Sequence, residues 1–411
     1  MNLAVVSVSA LALAILLSCV TQINVGIVSI ALAWIIGVYL GGMQAKQVAA
    51  GFPVELFLTL SGVTLLFAQA QVNGTLDRMT RQAVRLCRGN AGALPLMFFF
   101  LGAGLASLGP GNIATAALLA PAAMATAERL RIPAFLMAIM VGNGANAGSL
   151  SPFAPTGIIV NGLMDRIGLH NAAMHNWLGN FAAHATVALA GYLLFGGIGQ
   201  LRRKDTGQVE EEAVPFAKEH WITMAVIAAL VLGTLVGKVN IGMAAFACAA
   251  VLALTRASND AEAIRKMPWN TLVMVSGVTV LIGILEKTQG IELFAGLMAK
   301  VSTPESVTAV VAFLTGVVSV YSSTSGVVLP AFLPAIPSLM EKLGGGSALA
   351  VASAMNIGGH LVDVSPLSTI GALCLAGVAD GAESKALFYK LLVWGLSMCA
   401  VGAGFSWVFF R

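Results

Sequence analysis

The chain has 411 residues, 58% of them hydrophobic and only 10% charged, with a formal net charge of +4. Soluble proteins carry roughly 45–50% apolar and 25% charged residues, so this chain has too little polar surface to cover a body in water. A small positive excess spread over loops makes no basic stripe, which excludes nucleic-acid binding as a main role.

Taken in chain order, apolar runs near 2–18, 24–42 and 53–72 each match one bilayer crossing of ~20 residues. The stretch Thr75–Arg88 reads as an amphipathic helix on the membrane surface. The run 91–128 is too long for one span and breaks at Gly-Pro-Gly, which predicts a re-entrant hairpin. Gly, Ser and Pro interrupt the run 133–168, which predicts a broken helix, and 176–199 is a further span. A charged linker, 201–218, follows, with Glu210, Glu211 and Glu212 in a row. Spans at 219–237, 240–255 and 270–286 then lead to a second hairpin, 305–341, a second broken helix, 346–378, and a last span, 386–408. The runs are continuous rather than alternating, so the fold class is an all-α polytopic membrane protein and not a barrel.

Nothing basic precedes the first run, which starts at Asn2, so it is expected to stay as a span rather than be cleaved as a signal peptide. Cys19, Cys87, Cys248, Cys374 and Cys399 are scattered and show no CxxC spacing, so neither a disulfide frame nor a metal site is implied. Placing the segment after residue 72 in the cytoplasm puts there Arg78, Arg81, Arg85, Arg88, Arg129, Arg131, Arg202, Arg203, Lys204, Lys218, Arg256, Arg265, Lys266, Lys385 and Lys390. Lys46, Arg166, Lys238, Lys287, Lys300, Lys342 and Arg411 remain outside, about half as many, as the positive-inside rule requires.

The two halves repeat each other. Ile23-Asn24-Val25-Gly26 returns as Val239-Asn240-Ile241-Gly242, Gly62-Val63-Thr64 as Gly277-Val278-Thr279, and Ser151-Pro152 with Gly157 as Ser365-Pro366 with Gly371. The offsets of 216, 215 and 214 drift by only two residues across the half-chain. Five spans plus one hairpin per half force the halves, 1–200 and 219–411, to cross the membrane in opposite senses. Inverted repeats with paired broken helices at the midplane mark secondary transporters. Duplication giving a symmetric channel or scaffold is the plainer alternative.

The first hairpin tip, Gly109-Pro110-Gly111-Asn112 through Thr115, starts a half-helix whose amide N–H groups suit an anion, with Asn112 and Thr115 adding side-chain hydrogen bonds. A tight packed turn would read the same way. The facing tip offers Ser322, Ser323, Thr324 and Ser325, although mid-membrane hydroxyls also bond their own helix turn. Around Asn143–Pro152 and Asn356–Pro366, unwound carbonyls suit a small cation and the next half-helix start suits an anion. Asp363 and His360 stand out, because ionisable groups at this depth by default mark function. Asp363 is read as a proton- or cation-coupling group and His360 as an aid in holding the anion; mutual pairing, three residues apart, is the bland alternative.

The tip Gly111-Asn112-Ile113-Ala114-Thr115-Ala116-Ala117, running on to Pro121, resembles the Ser-Asn-Thr signature of the divalent anion/sodium symporters. Ile23–Gly26, Gly51-Phe52-Pro53, Leu56–Gly74 and Asn146–Gly157 look more specifically like the MatC-type malonate/dicarboxylate carriers. The likeness covers most of the first half and continues more weakly through Ser323–Ser325 and Ile357–Gly371. It implies a homodimer in a bacterial inner membrane, importing malonate or a C4-dicarboxylate with Na+ or H+ by an elevator motion. By position it implies substrate contacts at Asn112, Thr115, Ser151, Pro152, Ser323, Thr324, Ser365 and Pro366. It implies cation ligands at Asn112, Asn146, Ser325 and the carbonyls of Leu150 and Val364. Gly111 and Ile113 depart from the signature and remove two hydroxyls of the usual sodium site; Asp363 lies outside the pattern, so a proton there is the natural substitute for one sodium. No cofactor is implied. An inorganic-oxyanion carrier of the same superfamily is the runner-up, and a passive channel follows it. No aspartyl dyad or activated serine supports an intramembrane enzyme.

Overall fold

Inside a bilayer every backbone N–H and C=O must be satisfied within the chain, and an apolar run does this most simply as a helix. The computed structural model describes residues 2–21, 23–86, 90–202, 215–237, 239–378 and 381–410, and these contain helices and turns with no strand. The first half runs α1 (Leu3–Val20), α2 (Val25–Trp34, prolonged by a π-helical stretch Ile35–Leu40), α3 (Ala45–Ala49), α4 (Val54–Val72) and α5 (Thr75–Leu86). It continues with α6 (Ala93–Leu108), α7 (Gly111–Arg129), α8 (Ala134–Ala147), α9 (Pro155–Arg166), α10 (Ala173–Leu194) and α11 (Gly197–Arg202). The second half runs α12 (Lys218–Leu235), α13 (Ile241–Leu254), α14 (Asp260–Lys266), α15 (Trp269–Lys287), α16 (Gly290–Ala299) and α17 (Val307–Tyr321). It ends with α18 (Leu329–Phe332), α19 (Ile336–Lys342), α20 (Ala348–Leu361), α21 (Thr369–Ala376) and α22 (Gly381–Phe409). Seven described helical stretches are long and apolar enough to cross a bilayer, two of them, Thr324–Lys342 and Ala348–Ala376, composed of several shorter elements. Large side chains such as Leu16, Ile27, Leu189, Leu232 and Val317 stand exposed, the surface expected of an integral membrane protein facing lipid.

Most of the predicted linker, residues 203–214, lies outside the described residues, as do Cys87, Arg88, Lys238 and Arg411 of the sequence reading.

The first two repeated motifs turn out to be each other's packing partners. Asn24 caps α2 by accepting from the Gly26 amide at 2.9 Å, and Asn240 caps α13 by accepting from the Met243 amide at 3.1 Å. Gly26 lies against Gly277 of α15, where a side-chain carbon on Gly277 would fall 2.2 Å from the Gly26 carbonyl oxygen. In the same way, a carbon on Gly62 of α4 would fall 2.5 Å from the Gly242 carbonyl oxygen. Only glycine lets these backbones approach so closely, the general device of helix pairs in membranes.

Two groups of helices result. In one, α1, α2 and α4 pack with α12, α13 and α15, chiefly through the α2–α15 and α4–α13 crossings. In the other, α6 packs on α8 and α8 on α10, while α17 packs on α20 and α20 on α22. The α7–α21 and α10–α20 contacts join the halves within this second group. From Phe135 to Ala147, α8 is buried at every position, and α20 is buried from Val351 to Leu361. A helix apolar on all faces belongs at the centre of such a body, and both central helices end at the breaks described next.

Candidate functional site

Four interruptions of helical backbone converge. The turn 109–110 joins α6 to α7, and the segment 148–154 separates α8 from α9. Residues 322–323 join α17 to a π-helical turn, Thr324–Val328, while 365–368 follow a 3-10 turn, Val362–Val364, at the end of α20. Prolines explain the irregular second hairpin. Pro330, Pro334 and Pro337 each remove a backbone donor, and the chain answers with a π turn, the short α18, a 3-10 turn Leu333–Ala335 and α19.

The breaks are built alike. Added carbons on Gly157 and Gly371 would stand 1.9 and 2.0 Å from the carbonyl oxygens of Ser151 and Ser365. Each half-helix therefore folds back onto its own Ser-Pro turn, which is why a glycine follows six residues after each serine. The Ser151 hydroxyl donates to the Ser107 carbonyl at 2.7 Å, and the Ser365 hydroxyl accepts from the Leu367 amide at 3.3 Å. Both serines are buried, and their hydroxyls are engaged in holding the turns.

At the first tip, the Asn112 amide nitrogen donates to Asn146 Oδ1 at 2.9 Å, tying α7 to the end of α8. Asn180 of α10 donates to the Asn146 carbonyl at 2.7 Å. Thr115 and Asn146 are buried, and Thr115 Oγ1 and Asn146 Nδ2 have no hydrogen-bond partner. The unmet group on Asn146 is thus a donor. At the second tip, the Thr324 hydroxyl donates to Asp363 Oδ1 at 2.8 Å and lies 3.2 Å from the Gly359 carbonyl oxygen. The Ser323 hydroxyl caps the turn by accepting from the Gly326 amide at 3.1 Å. The Ser368 hydroxyl donates to the Ser365 carbonyl at 2.7 Å and also bonds the Asp363 carbonyl.

Two cavities meet where the tips touch. The first, about 270 Å³, is walled by Thr64, Gln71, Thr156, Thr271 and Lys266. The second, about 190 Å³, is walled by Ser322, Ser323, Thr324, Asp363, Ser368 and Thr369. Asn112, Ile113 and Ser325 border both. Of the residues singled out in the sequence, Asn112, Ser323, Thr324, Ser325 and Asp363 therefore face open space at the tips. Leu150, Ser151, Val364, Ser365 and Pro366 are buried behind them in the breaks, Pro152 is half-buried there, and none of the six lines either cavity.

His360 is fully buried and lines neither cavity; its Nδ1 bonds the Asn356 carbonyl one turn earlier, at 2.7 Å. It does not pair with Asp363, whose carboxylate takes the Thr324 hydroxyl instead. His184, also fully buried, bonds Asn143 Oδ1 through its Nδ1 at 2.9 Å. Asn180 and Ser368 were not singled out in the sequence. Asn180 lies 34 residues from its partner with no local motif, whereas Ser368 could have been read from its place just past the Ser-Pro break.

Helices interrupted in mid-body, with polar groups gathered at the interruptions and lipid-facing apolar surface around them, define an integral membrane transporter rather than an enzyme. Residues 1–149 match the family model for the N-terminus of the dicarboxylate carrier protein MatC, so the likeness read in the sequence holds over that part of the chain. No curated protein matches the sequence. Among solved structures, the chain is similar to MtrF of Neisseria gonorrhoeae, described as illuminating a class of antimetabolite efflux pumps. That match has a TM-score of 0.58 at 15% identity, covering 91% of this chain and 84% of that one. It is also similar to the YdaH transporter of Alcanivorax borkumensis, with a TM-score of 0.59 at 15% identity, covering 90% and 87% of the two chains. At that identity the likeness concerns the fold.

Proposed function

We propose that the protein is a secondary active transporter importing a small dicarboxylate, malonate or a C4-dicarboxylate, in symport with Na+ or H+ across a bacterial inner membrane. The observation that carries this is the smaller cavity at the tips, lined by hydroxyls, the Asn112 amide and one carboxylate, and opening beside a larger, mostly apolar one, in a chain whose first third matches a dicarboxylate carrier family.

No arginine lines either cavity. A dianion is then held by the N-terminal turns of α7 and α21 and by the hydroxyls of Ser323 and Ser325, joined by Thr324 once Asp363 is neutralised and releases its hydroxyl proton. A carboxylate beside a dianion repels it unless a cation or proton neutralises one of them. That requirement couples the two: Asp363 loads its cation or proton, and the anion binds next to the neutralised group. Lys266, paired with Glu262 at 3.1 Å, stands at the wall of the larger cavity. Ser151 and Ser365, with Pro152 and Pro366, act as the rigid frame of the breaks.

The two halves act as inverted repeats. The reciprocal crossings Gly26–Gly277 and Gly62–Gly242 and the matched Ser151–Gly157 and Ser365–Gly371 turns support this reading. The group of α1, α2, α4, α12, α13 and α15 serves as the scaffold, contributed by both subunits of a homodimer. The group from α6 to α10 and α17 to α22 carries the site past it as an elevator.

The test is counterflow in proteoliposomes preloaded with malonate. Labelled malonate is expected to enter, with succinate competing and sulfate not. Competition by sulfate but not by succinate would replace the dicarboxylate with an inorganic oxyanion. Labelled malonate entry that neither saturates nor depends on preloading would make the protein a channel.

A further inference from the structure

Away from the site, a groove of about 690 Å³ runs between the start of α8, the end of α10 and the middle turns of α22, Tyr389 to Ser397. Its walls are Phe135, Phe195 and Trp394, stacked edge to face with ring centroids 4.8 and 5.9 Å from Phe135 and 5.9 Å between Phe195 and Trp394. Its rim is Tyr389, Lys390 and Val393, with Tyr389 57% and Val393 68% exposed. Lys390 is the one charged side chain of the lining.

Trp394 is 9% exposed, and its indole N–H is buried without a hydrogen-bond partner. Lys385 lies earlier on the same helix, and Arg131 two residues before Pro133, another lining residue. This is the end of the bundle that the charge count assigns to the cytoplasm.

We propose that the groove binds an anionic phospholipid of the inner leaflet, with its phosphate at Lys390 and one acyl chain along the aromatic wall. An aqueous anion would gain nothing from three aromatic rings, and a zwitterionic lipid carries its own ammonium, which competes with Lys390 for the phosphate, whereas an anionic lipid leaves that charge to the lysine. A basic rim over an apolar cleft at the cytoplasmic boundary is matched by a molecule with an anionic head and a hydrocarbon tail. Tyr389 stands exposed beside Lys390, an amphipathic aromatic of the kind that accumulates at the headgroup level.

Because the groove joins α8, α10 and α22, a bound lipid stiffens the contact between the two halves on the moving side. The proposal is separate from the transported substrate: it stands or falls without malonate.

The full-length protein, purified in detergent, is exposed to equal amounts of phosphatidylglycerol and phosphatidylcholine with identical chains, and retained lipid is counted by native mass spectrometry. Phosphatidylglycerol is expected to dominate. Lys390→Gln should weaken its retention about fivefold, the weight of one lysine near an anionic surface. Lys390→Arg should keep it, and Lys300→Gln, elsewhere on the surface, should leave it unchanged. Lys390 is exposed, so the variant is expected to fold, with size-exclusion chromatography as the check. Equal retention of the two lipids, or no effect of Lys390→Gln, would overturn the proposal. So would light scattering that shows Val393→Asp splitting dimers into monomers, because a second copy would then cover the groove.

Discussion

In the proposed mechanism, coupling turns on Asp363. Its Oδ1 takes the Thr324 hydroxyl at 2.8 Å, and its side chain borders the hydroxyl-lined cavity. Asp363→Asn keeps the shape and removes the charge. Gradient-driven uptake is expected to fall at least tenfold while exchange of labelled for unlabelled substrate persists, since exchange needs no net cation movement. Unchanged concentrative uptake in this variant would remove Asp363 from the mechanism. Thr324→Val removes one hydrogen bond to a charged group, worth about 1.5–3 kcal/mol. Uptake at low substrate should drop roughly tenfold or more, and a rate equal to wild type would mean that the Thr324–Asp363 bond has no part in binding. Asp363 could be singled out by its depth in an apolar run, but its partner could not. Proximity in sequence favours His360, whereas the tertiary fold turns the His360 ring back to the Asn356 carbonyl and brings Thr324 in from the second tip.

At the scale of elements, the glycine crossings set how tightly the helices pack. Gly277→Ala would push a carbon to 2.2 Å from the Gly26 carbonyl oxygen, a backbone atom that cannot turn aside. Overpacking of this kind costs about 1–3 kcal/mol, so thermal unfolding in detergent should occur several degrees lower. Gly104→Ala in α6 meets no atom within 4 Å and should leave the midpoint unchanged or raise it. Equal effects of the two would mean that the close crossing carries no weight. The long helices were legible because hydrophobic length is written in composition. The short α3, α14 and α16 were not, being five, seven and ten residues that fall below any span-length window. The helix breaks at 109–110 and 322–323 were legible from Gly-Pro-Gly and the run of hydroxyls. The π and 3-10 turns that follow the second tip depend on how the chain packs around three prolines, which spacing alone does not determine.

For the whole molecule, the elevator reading requires α9 to slide past α4. A carbon on Gly162 would lie 3.8 Å from Leu56 Cδ1, so cysteines at these two positions can be bridged by a short cross-linker. The Leu56→Cys, Gly162→Cys pair, cross-linked, should lose uptake and regain it on reduction; full transport by the cross-linked protein would contradict the sliding motion. The same arrangement explains why the halves repeat so unevenly at the site. Asn112 with Asn146 at one tip and Thr324 with Asp363 at the other offer different chemistry, an amide pair and a hydroxyl–carboxylate pair, and at the offset of 214 the place of Asn146 is taken by His360.

The most direct measurement is uptake of radiolabelled malonate by the purified protein in sealed proteoliposomes, with sodium and proton gradients imposed separately at equal external malonate. Accumulation above the external concentration, driven by one of the gradients and lost when that gradient is collapsed, is the expected result. Drive by protons alone assigns the coupling to Asp363, and drive by sodium assigns it to a cation held at the tips. Uptake that only equilibrates under both gradients would contradict a coupled carrier.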